Sequence, residues 1–256
     1  RREESLCLEC PAMTKCHFYR RAGGGFLCVV QGRLEEFVGD AIATSTNCRL
    51  EGIHRKNWWG FVGKKSADAA LHEKAGPRLL QDCHSKATEL PFGSVLTTAA
   101  GPNLGAGHVL HTAVPSHAGG RDPRPMSAQQ AGDFAYEAEA LQYLTSSYGE
   151  VLKAAAELEA ESLACPAIGC GCRGYPVEDA ARIGLHALTE DRTVPYIEVR
   201  ILDWLTYSAW QQECARLELN ACTEDDVKEA LWEGETLASW YEKREAERRK
   251  FSCPVL

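Results

Sequence analysis

Residues 162–188 combine three patterns that together restrict the fold of this chain. An apolar run over residues 162–168 is typical of a buried strand, and residues 177–188 show the apolar spacing of a helix. Between them, glycines stand at 169, 171 and 174. A buried strand, a glycine-rich turn and a helix N-terminus form an anion site, because amide N–H groups and the helix dipole both favour negative charge. Glycine turns without a ligand are common, so this segment alone indicates an α/β unit rather than a function.

The same alternation of strand and helix patterns continues along most of the chain. Strands are predicted over residues 26–30, 40–43, 108–114, 162–168 and 197–202. Helices are predicted over 67–83 (divided at Gly76-Pro77), 141–158, 177–188 and 207–219. This alternation favours a three-layer α/β/α fold with a mixed, largely parallel central sheet. In such a fold, ligands bind beyond the carboxyl ends of the strands.

The two ends of the chain differ from this central region. We predict an N-terminal cysteine-rich arm over residues 1–25, a central domain over 26–220 and a C-terminal helical extension over 221–256. The extension starts with a capping box at 223–226, and its apolar positions are expected to pack on the chain's own core or on a partner, with the core favoured. Four residues of the arm could hold zinc: Cys7, Cys10, Cys16 and His17. Their spacing lacks a second cysteine pair, which favours packed or unpaired cysteines instead.

Composition excludes several classes of protein. The 256 residues include 45% hydrophobic and 25% charged residues, as in ordinary globular chains. A formal net charge of −8 argues against a nonspecific nucleic-acid binder, and no apolar run has transmembrane length. The chain is too long to need a disulfide scaffold, so most of its 12 cysteines are expected to be reduced. This predicts an intracellular protein of the cytoplasm, the nucleus or an organelle, the last after removal of a targeting segment, which a start at Arg1 would fit.

Five segments follow one another along the chain: DAIATSTN at 40–47, ADAALHEKAG at 67–76, VLHTAVP at 109–115, LTSSY at 144–148 and CPAIGCGCRGYP at 165–176. In this order they resemble the macrodomain family, and specifically its MacroD-like ADP-ribose hydrolase branch with plant-like relatives. The resemblance covers about residues 26–215. It implies a macrodomain fold with ADP-ribose lying across the carboxyl ends of the strands.

The resemblance also implies roles for individual residues. Asp68 matches the family's catalytic aspartate, which would activate or orient water for attack at the ribose anomeric carbon. Asn47 matches the asparagine that holds ribose hydroxyls. The expected ligand-binding set is Asp40, Ile42, Ile168, Gly169, Cys170, Gly171, Cys172, Arg173 and Gly174. Without the resemblance, Asn47 and Asp68 would be interpreted as turn and helix caps.

Three departures from the family pattern concern the ligand cleft. Arg33 stands where the family has its adenine-side aspartate, and an arginine cannot accept a hydrogen bond from adenine. Arg173 replaces an aromatic residue that packs on the distal ribose. It could pair with phosphate, or its side chain could fill the cradle, which would argue against an enzyme. The first loop is expanded over residues 48–67 and contains Trp58, Trp59, Phe61, Lys64 and Lys65.

Two hypotheses about function therefore stay open. In the first, the protein recognises ADP-ribose or an ADP-ribosylated protein and hydrolyses ADP-ribosyl or O-acetyl-ADP-ribose linkages, without a cofactor or a metal. In the second, it has lost its ligand and is an accessory subunit of a larger complex. Docking would then use the C-terminal helix and Trp58, Trp59 and Phe61, because aromatic residues dominate interfaces. His72 and His111 are expected to pack in the core, since neither has a ligand-spaced partner.

Overall fold

The computed structural model describes residues 15–50, 66–117, 134–135 and 137–251. Its strands are β1 (Cys16–Arg20), β2 (Phe26–Val30), β3 (Val38–Thr46), β4 (Val95–Ala99), β5 (Gly105–Ala113), β6 (Ser116–His117), β7 (Phe134–Ala135), β8 (Ser162–Cys165), β9 (Tyr196–Arg200) and β10 (Asn220–Cys222). Its helices are α1 (Ala67–Ala75), α2 (Pro77–Lys86), α3 (Glu137–Glu157), α4 (Val177–Glu190), α5 (Trp204–Arg216), α6 (Glu224–Leu231) and α7 (Leu237–Phe251). A 3-10 turn spans Leu34–Glu36.

The central sheet of the described residues has eight strands in the order β10-β1-β2-β9-β8-β3-β5-β4. All neighbouring pairs from β2 to β5 are parallel. The pairs at both margins, β10 with β1, β1 with β2, and β5 with β4, are antiparallel. β6 and β7 form a separate short parallel pair. The predicted mixed and largely parallel sheet is therefore confirmed.

Helices cover both faces of the sheet, as the contacts of β3 show. Ala41 and Ala43 belong to a core cluster that includes Tyr148, Leu185 and Trp210 from α3, α4 and α5. Ile42, between them, belongs to a second cluster with Leu71, Leu79 and Val109, which brings in α1 and α2. Successive strand residues point to opposite faces, so a strand buried on both faces has a continuous apolar sequence. The three-layer α/β/α prediction is confirmed.

The predicted start of the central domain at residue 26 leaves out β1, which is a strand of this sheet. β1 pairs along its whole length with β2, with Cys16 opposite Val30, so residues 16–20 belong to the central domain. The short run CHFYR mixes polar and apolar residues, and only its pairing identifies it as a strand. Cys16 packs into a core cluster with Phe26. His17 points to the other face, so the two are not brought to one metal position. Cys7 and Cys10 lie outside the described residues.

The C-terminal extension packs on the chain's own core, as expected. Val227 and Trp232 are buried against strand residues of β1, β2 and β9. The ring centroids of Trp232 and Tyr196 are 4.8 Å apart in an edge-to-face arrangement. Arg244 of α7 forms an ion pair with Asp40 of β3, at 2.5 Å. In the part of the chain that the structure describes, no helix is long and apolar enough to cross a membrane.

Candidate functional site

The candidate site lies at the edge where the parallel strands end. β3 ends at Thr46, and Asn47 follows it directly. β8, the neighbour of β3, ends at Cys165 and leads into the glycine loop of residues 166–176. Because β3 and β8 are parallel, Asn47 and the glycine loop meet at the same edge. Asn47 is buried, with 6% of its surface exposed.

Asp68 lies in the first turn of α1, beside the end of β3. Ser66 caps the helix by accepting a hydrogen bond from the amide of Ala69 at 3.1 Å, so Asp68 itself is not the cap. Its carboxylate is 5% exposed and accepts a hydrogen bond from the Thr44 hydroxyl at 3.1 Å. Burial raises the pKa of this carboxyl to about 6, although the hydroxyls of Thr44 and Thr46 and the Arg173 charge act to lower it. A carboxyl with a pKa near 6 exchanges protons near neutral pH, as a general base must.

Within the described part of the chain, the glycine loop leaves two backbone amides without an acceptor at its tip. Gly169 has a φ of +86°, and a Cβ there would lie 2.9 Å from the Tyr175 ring, so only glycine fits. At the tip, a Cβ on Gly171 would meet no described atom within 4 Å. Among the described residues, no acceptor pairs with the amides of Gly171 and Cys172. These two N–H groups, just ahead of the N-terminus of α4, can therefore bind an anion.

Three predicted loop contacts are used by the fold instead. The Ile168 amide donates to the Tyr148 hydroxyl at 3.2 Å, and its side chain is fully buried. The amide of Cys170 donates to the carbonyl of Ala167 at 3.1 Å. The amide of Gly174 donates to the Gly171 carbonyl at 3.2 Å. These bonds shape the loop, and they leave its tip as the part that can receive a ligand.

The Arg173 side chain crosses the edge between the loop and β3. Its guanidinium donates to the Thr46 carbonyl at 2.8 Å and to the Ser116 hydroxyl at 3.4 Å. Its own carbonyl accepts from the amide of His117 at 2.8 Å. In this conformation the guanidinium occupies space at the carboxyl edge and stabilises the charged form of Asp68. A ligand at this edge has to meet or displace Arg173.

Asp40 and Ile42 are not brought to the site, and their predicted ligand roles are corrected here. Asp40 lies near the start of β3, seven residues before Asn47, so about 20 Å of extended strand separates them. One carboxylate oxygen of Asp40 accepts from the amide and hydroxyl of Ser162, at 3.0 and 2.9 Å, and the other pairs with Arg244. The Ile42 side chain is fully buried in the core. Asp40 therefore ties strands and α7 together, at the opposite end of the sheet.

On the adenine side of the expected cleft, Arg33 is exposed and pairs with Glu35 at 3.4 Å. An open groove next to it is lined by Arg33, Glu35, Glu36, Ala70, Glu73 and Lys74. The residues Trp58, Trp59, Phe61, Lys64 and Lys65, predicted for docking or phosphate contacts, lie outside the described residues.

Sequence reasoning did not single out Thr44 and Thr46. They alternate with Ser45 on β3, so they point to the same face, towards α1. Thr44 bonds Asp68, and the Thr46 backbone receives Arg173. Their spacing could have identified them, because Thr44 and Thr46 share one face of the strand and come directly before Asn47.

Three buried groups of metal-ligand type meet next to Asp68. They are His72 on α1, Cys83 on α2 and His111 on β5. His72 Nε2 lies 3.7 Å from the Asp68 carboxylate. Burial lowers the pKa of His111 to about 3, so its imidazole is neutral, and burial raises the pKa of Cys83 to about 12.

The fold and this site define an α/β domain with a glycine loop and a buried carboxyl at the carboxyl edge of its sheet. Comparison with known proteins identifies the family to which this domain belongs. The family model described as Macro domain matches residues 43–184. A macro domain-containing protein of Xanthomonas axonopodis pv. citri is 32% identical over 205 residues, which cover 75% of this chain and 97% of that protein. The chain therefore belongs to the Macro domain family.

Two further similarities add detail. The O-acetyl-ADP-ribose deacetylase of Klebsiella pneumoniae is 36% identical over 133 residues, covering 50% of this chain and 66% of that protein. A solved macrodomain of Oceanobacillus iheyensis with ADP has a TM-score of 0.63 at 22% identity, over 81% of this chain and 98% of that one. The latter likeness confirms the macrodomain fold.

Proposed function

We propose that this protein is an ADP-ribose-binding macrodomain of the MacroD-like branch that hydrolyses ADP-ribosyl or O-acetyl-ADP-ribose linkages. The observation that carries the proposal is the meeting of three groups at one edge: the buried Asp68 carboxyl, Asn47 and the loop tip at Gly171–Cys172. The relatives support the ligand, since the deacetylase is named for O-acetyl-ADP-ribose and the solved macrodomain holds ADP.

In the bound state, the amides of Gly171 and Cys172 hold the diphosphate, and the Arg173 guanidinium turns from the Thr46 carbonyl to a phosphate oxygen. The exchange is favourable because a guanidinium binds an anionic oxygen more strongly than a neutral carbonyl. Asn47 holds hydroxyls of the distal ribose, and Asp68 orients and deprotonates the attacking water. Its raised pKa suits this task, since a base works best with a pKa near the working pH.

Calorimetric titration with ADP-ribose tests the binding step. Gly171→Val is expected to abolish binding without unfolding the protein, because its Cβ has free space while its methyl groups crowd the amides that hold the diphosphate. Gly149→Val is the matched control, because a Cβ there also meets no described atom within 4 Å and the position lies on α3, away from the edge. Equal affinities of the two variants would contradict the proposed diphosphate site.

The hydrolytic step is tested by the release of ADP-ribose from a modified protein and from O-acetyl-ADP-ribose. Asp68→Asn is expected to lower the rate at least about 100-fold, the scale of a general base, while ADP-ribose still binds. The wild-type rate is expected to rise with pH through about 6, as the Asp68 carboxyl ionises. A variant that keeps the wild-type rate and pH profile would remove Asp68 from the mechanism.

The position of Arg173 favours a second candidate, a macrodomain without a ligand that acts as a scaffold. In that case the guanidinium is a permanent plug bonded to Thr46 and Ser116. Arg173→Ala separates the two. If Arg173 pairs with phosphate, the variant binds ADP-ribose about tenfold more weakly, the loss of about 1.4 kcal/mol. If Arg173 is a plug, wild type does not bind and the variant gains binding.

A further inference from the structure

Outside the proposed ADP-ribose site, three buried side chains of metal-ligand type converge where α1, α2 and β5 pack together. The donor atoms of His72, Cys83 and His111 all lie within 4.8 Å of one another. Cys83 Sγ is 3.4 Å from His111 Nε2, and the two imidazole ring centroids are 5.6 Å apart. All three residues are buried, and Cys83 and His111 have no exposed surface.

We propose that His72, Cys83 and His111 bind a divalent metal ion of zinc type. Two imidazoles and one thiolate are ligands that zinc prefers, whereas magnesium and calcium prefer oxygen. Zinc bonds of about 2.0–2.3 Å place tetrahedral ligands about 3.3–3.8 Å apart. Cys83 and His111 already have this separation. Small side-chain rotations would bring His72 to the same distance.

The surroundings suit a buried set of ligands. His111 Nε2 lies 3.4 Å from Cys83 Sγ and 3.0 Å from the Thr98 hydroxyl, so this is the nitrogen that would bind the ion. With Nε2 on the metal, Nδ1 carries the proton of the neutral imidazole. Cys83 packs with Leu50 and Leu90, and such an apolar shell limits the access of water to a metal.

The charges also balance. On binding, the Cys83 thiol loses its proton to solvent, and the sulfur forms a bond to the metal in its place. A divalent ion with one thiolate and two neutral imidazoles keeps one positive charge. The buried Asp68 carboxylate, 3.7 Å from His72 Nε2, supplies the negative charge that compensates this positive charge. The ion would join α1, which carries Asp68, to α2 and β5. This inference does not depend on ADP-ribose binding.

The test uses the full chain, stripped with a chelator and titrated with Co²⁺ as a spectroscopic probe. We expect one equivalent to bind, with intense tetrahedral bands and a thiolate-to-cobalt charge-transfer band, and zinc to displace it. Cys83→Ser is expected to lack the charge-transfer band and to bind the metal at least about 100-fold more weakly. Even the loss of a group that only contacts a ligand lowers metal affinity about 10- to 100-fold. Cys28→Ser, a buried cysteine of another core cluster, is the matched control and should keep both.

X-ray absorption on the zinc-loaded wild type gives an answer that needs no variant. The proposed site predicts one sulfur and two imidazole nitrogens around the ion, with a water oxygen as the fourth ligand of the tetrahedron. Three sulfurs would place the ion at other cysteines of the chain, and would overturn the proposal. Failure of the wild type to bind a stoichiometric metal ion, or a Cys83→Ser variant that binds as wild type does, would overturn it equally.

Discussion

Replacing Asp68 by asparagine is expected to stabilise the protein at neutral pH. Burial moves the pKa of this carboxyl from its ordinary 3.8 to about 6 in the folded state. At about 1.36 kcal/mol per pKa unit, the buried negative charge costs about 3 kcal/mol once the group is ionised in both states. Asparagine has nearly the same shape and still accepts the hydrogen bond from Thr44, so it removes the charge and keeps the contact.

The sign of the pH dependence follows from the raised pKa. The folded protein holds the proton more tightly than the unfolded chain, so wild type loses stability as pH rises from about 4 to 6 and little more above that. The two proteins should be nearly equal in stability at pH 4, and Asp68→Asn should lead by about 3 kcal/mol at pH 7. Urea denaturation at pH 4, 5, 6, 7 and 8, with a chelator present, measures the difference.

Asp225→Asn is the matched control for this experiment. Asp225 also lies in the first turn of a helix, α6, but it is exposed. Its replacement removes the same charge at a similar place in a helix and should change stability by less than about 1 kcal/mol. A stability difference between wild type and Asp68→Asn that stays constant with pH, or that favours wild type as pH rises, would refute the burial argument.

Three other substitutions test packing, a buried hydrogen-bond network and a helix cap. Gly184→Ala places a Cβ 2.7 Å from the Trp210 ring and should cost about 1–3 kcal/mol in urea denaturation; an unchanged midpoint would show a looser α4–α5 contact. Ser162→Ala removes the hydroxyl that bonds the Asp40 carboxylate at 2.9 Å and should cost about 1–3 kcal/mol, and no loss would contradict the buried network. Thr223→Ala breaks the capping box of α6 and should cost about 1 kcal/mol, seen as faster amide exchange in α6, whereas unchanged exchange would deny the cap a role.

The stability prediction bears on function as well. The buried Asp68 carboxylate lowers the stability of the folded protein by about 3 kcal/mol at neutral pH. Stability alone would favour a neutral residue of the same shape at this position. If Asp68→Asn is both more stable and inactive towards ADP-ribosyl linkages, stability has been exchanged for activity at this position. If it is more stable and equally active, the carboxylate serves another purpose, such as the charge balance of the proposed metal site.

Much of the core was predictable because hydrophobic periodicity is local. The apolar runs at residues 26–30 and 108–114 predict strands; β2 has the first of these ranges, and β5 covers the second as far as Ala113. Strands at the margins of the sheet were different. β1 and β10 are short, mix polar with apolar residues, and become strands only through pairing with a neighbour. Local sequence does not contain that information, because the pairing partner lies far along the chain.

The candidate site likewise has some features that local sequence predicts and others that only tertiary contacts produce. The sequence by itself determined the motif that ends in Asn47, the glycines of the loop and an aspartate at the start of α1, since each depends on neighbouring residues. Tertiary structure decided that Asp40 and Asn47 lie at opposite ends of one strand, because strand direction sets which edge a residue reaches. It also decided that Arg173 meets the Thr46 carbonyl, and that Cys83 meets His111, 28 residues away. Such contacts arise only when helices and strands pack together, and no spacing along the chain encodes them.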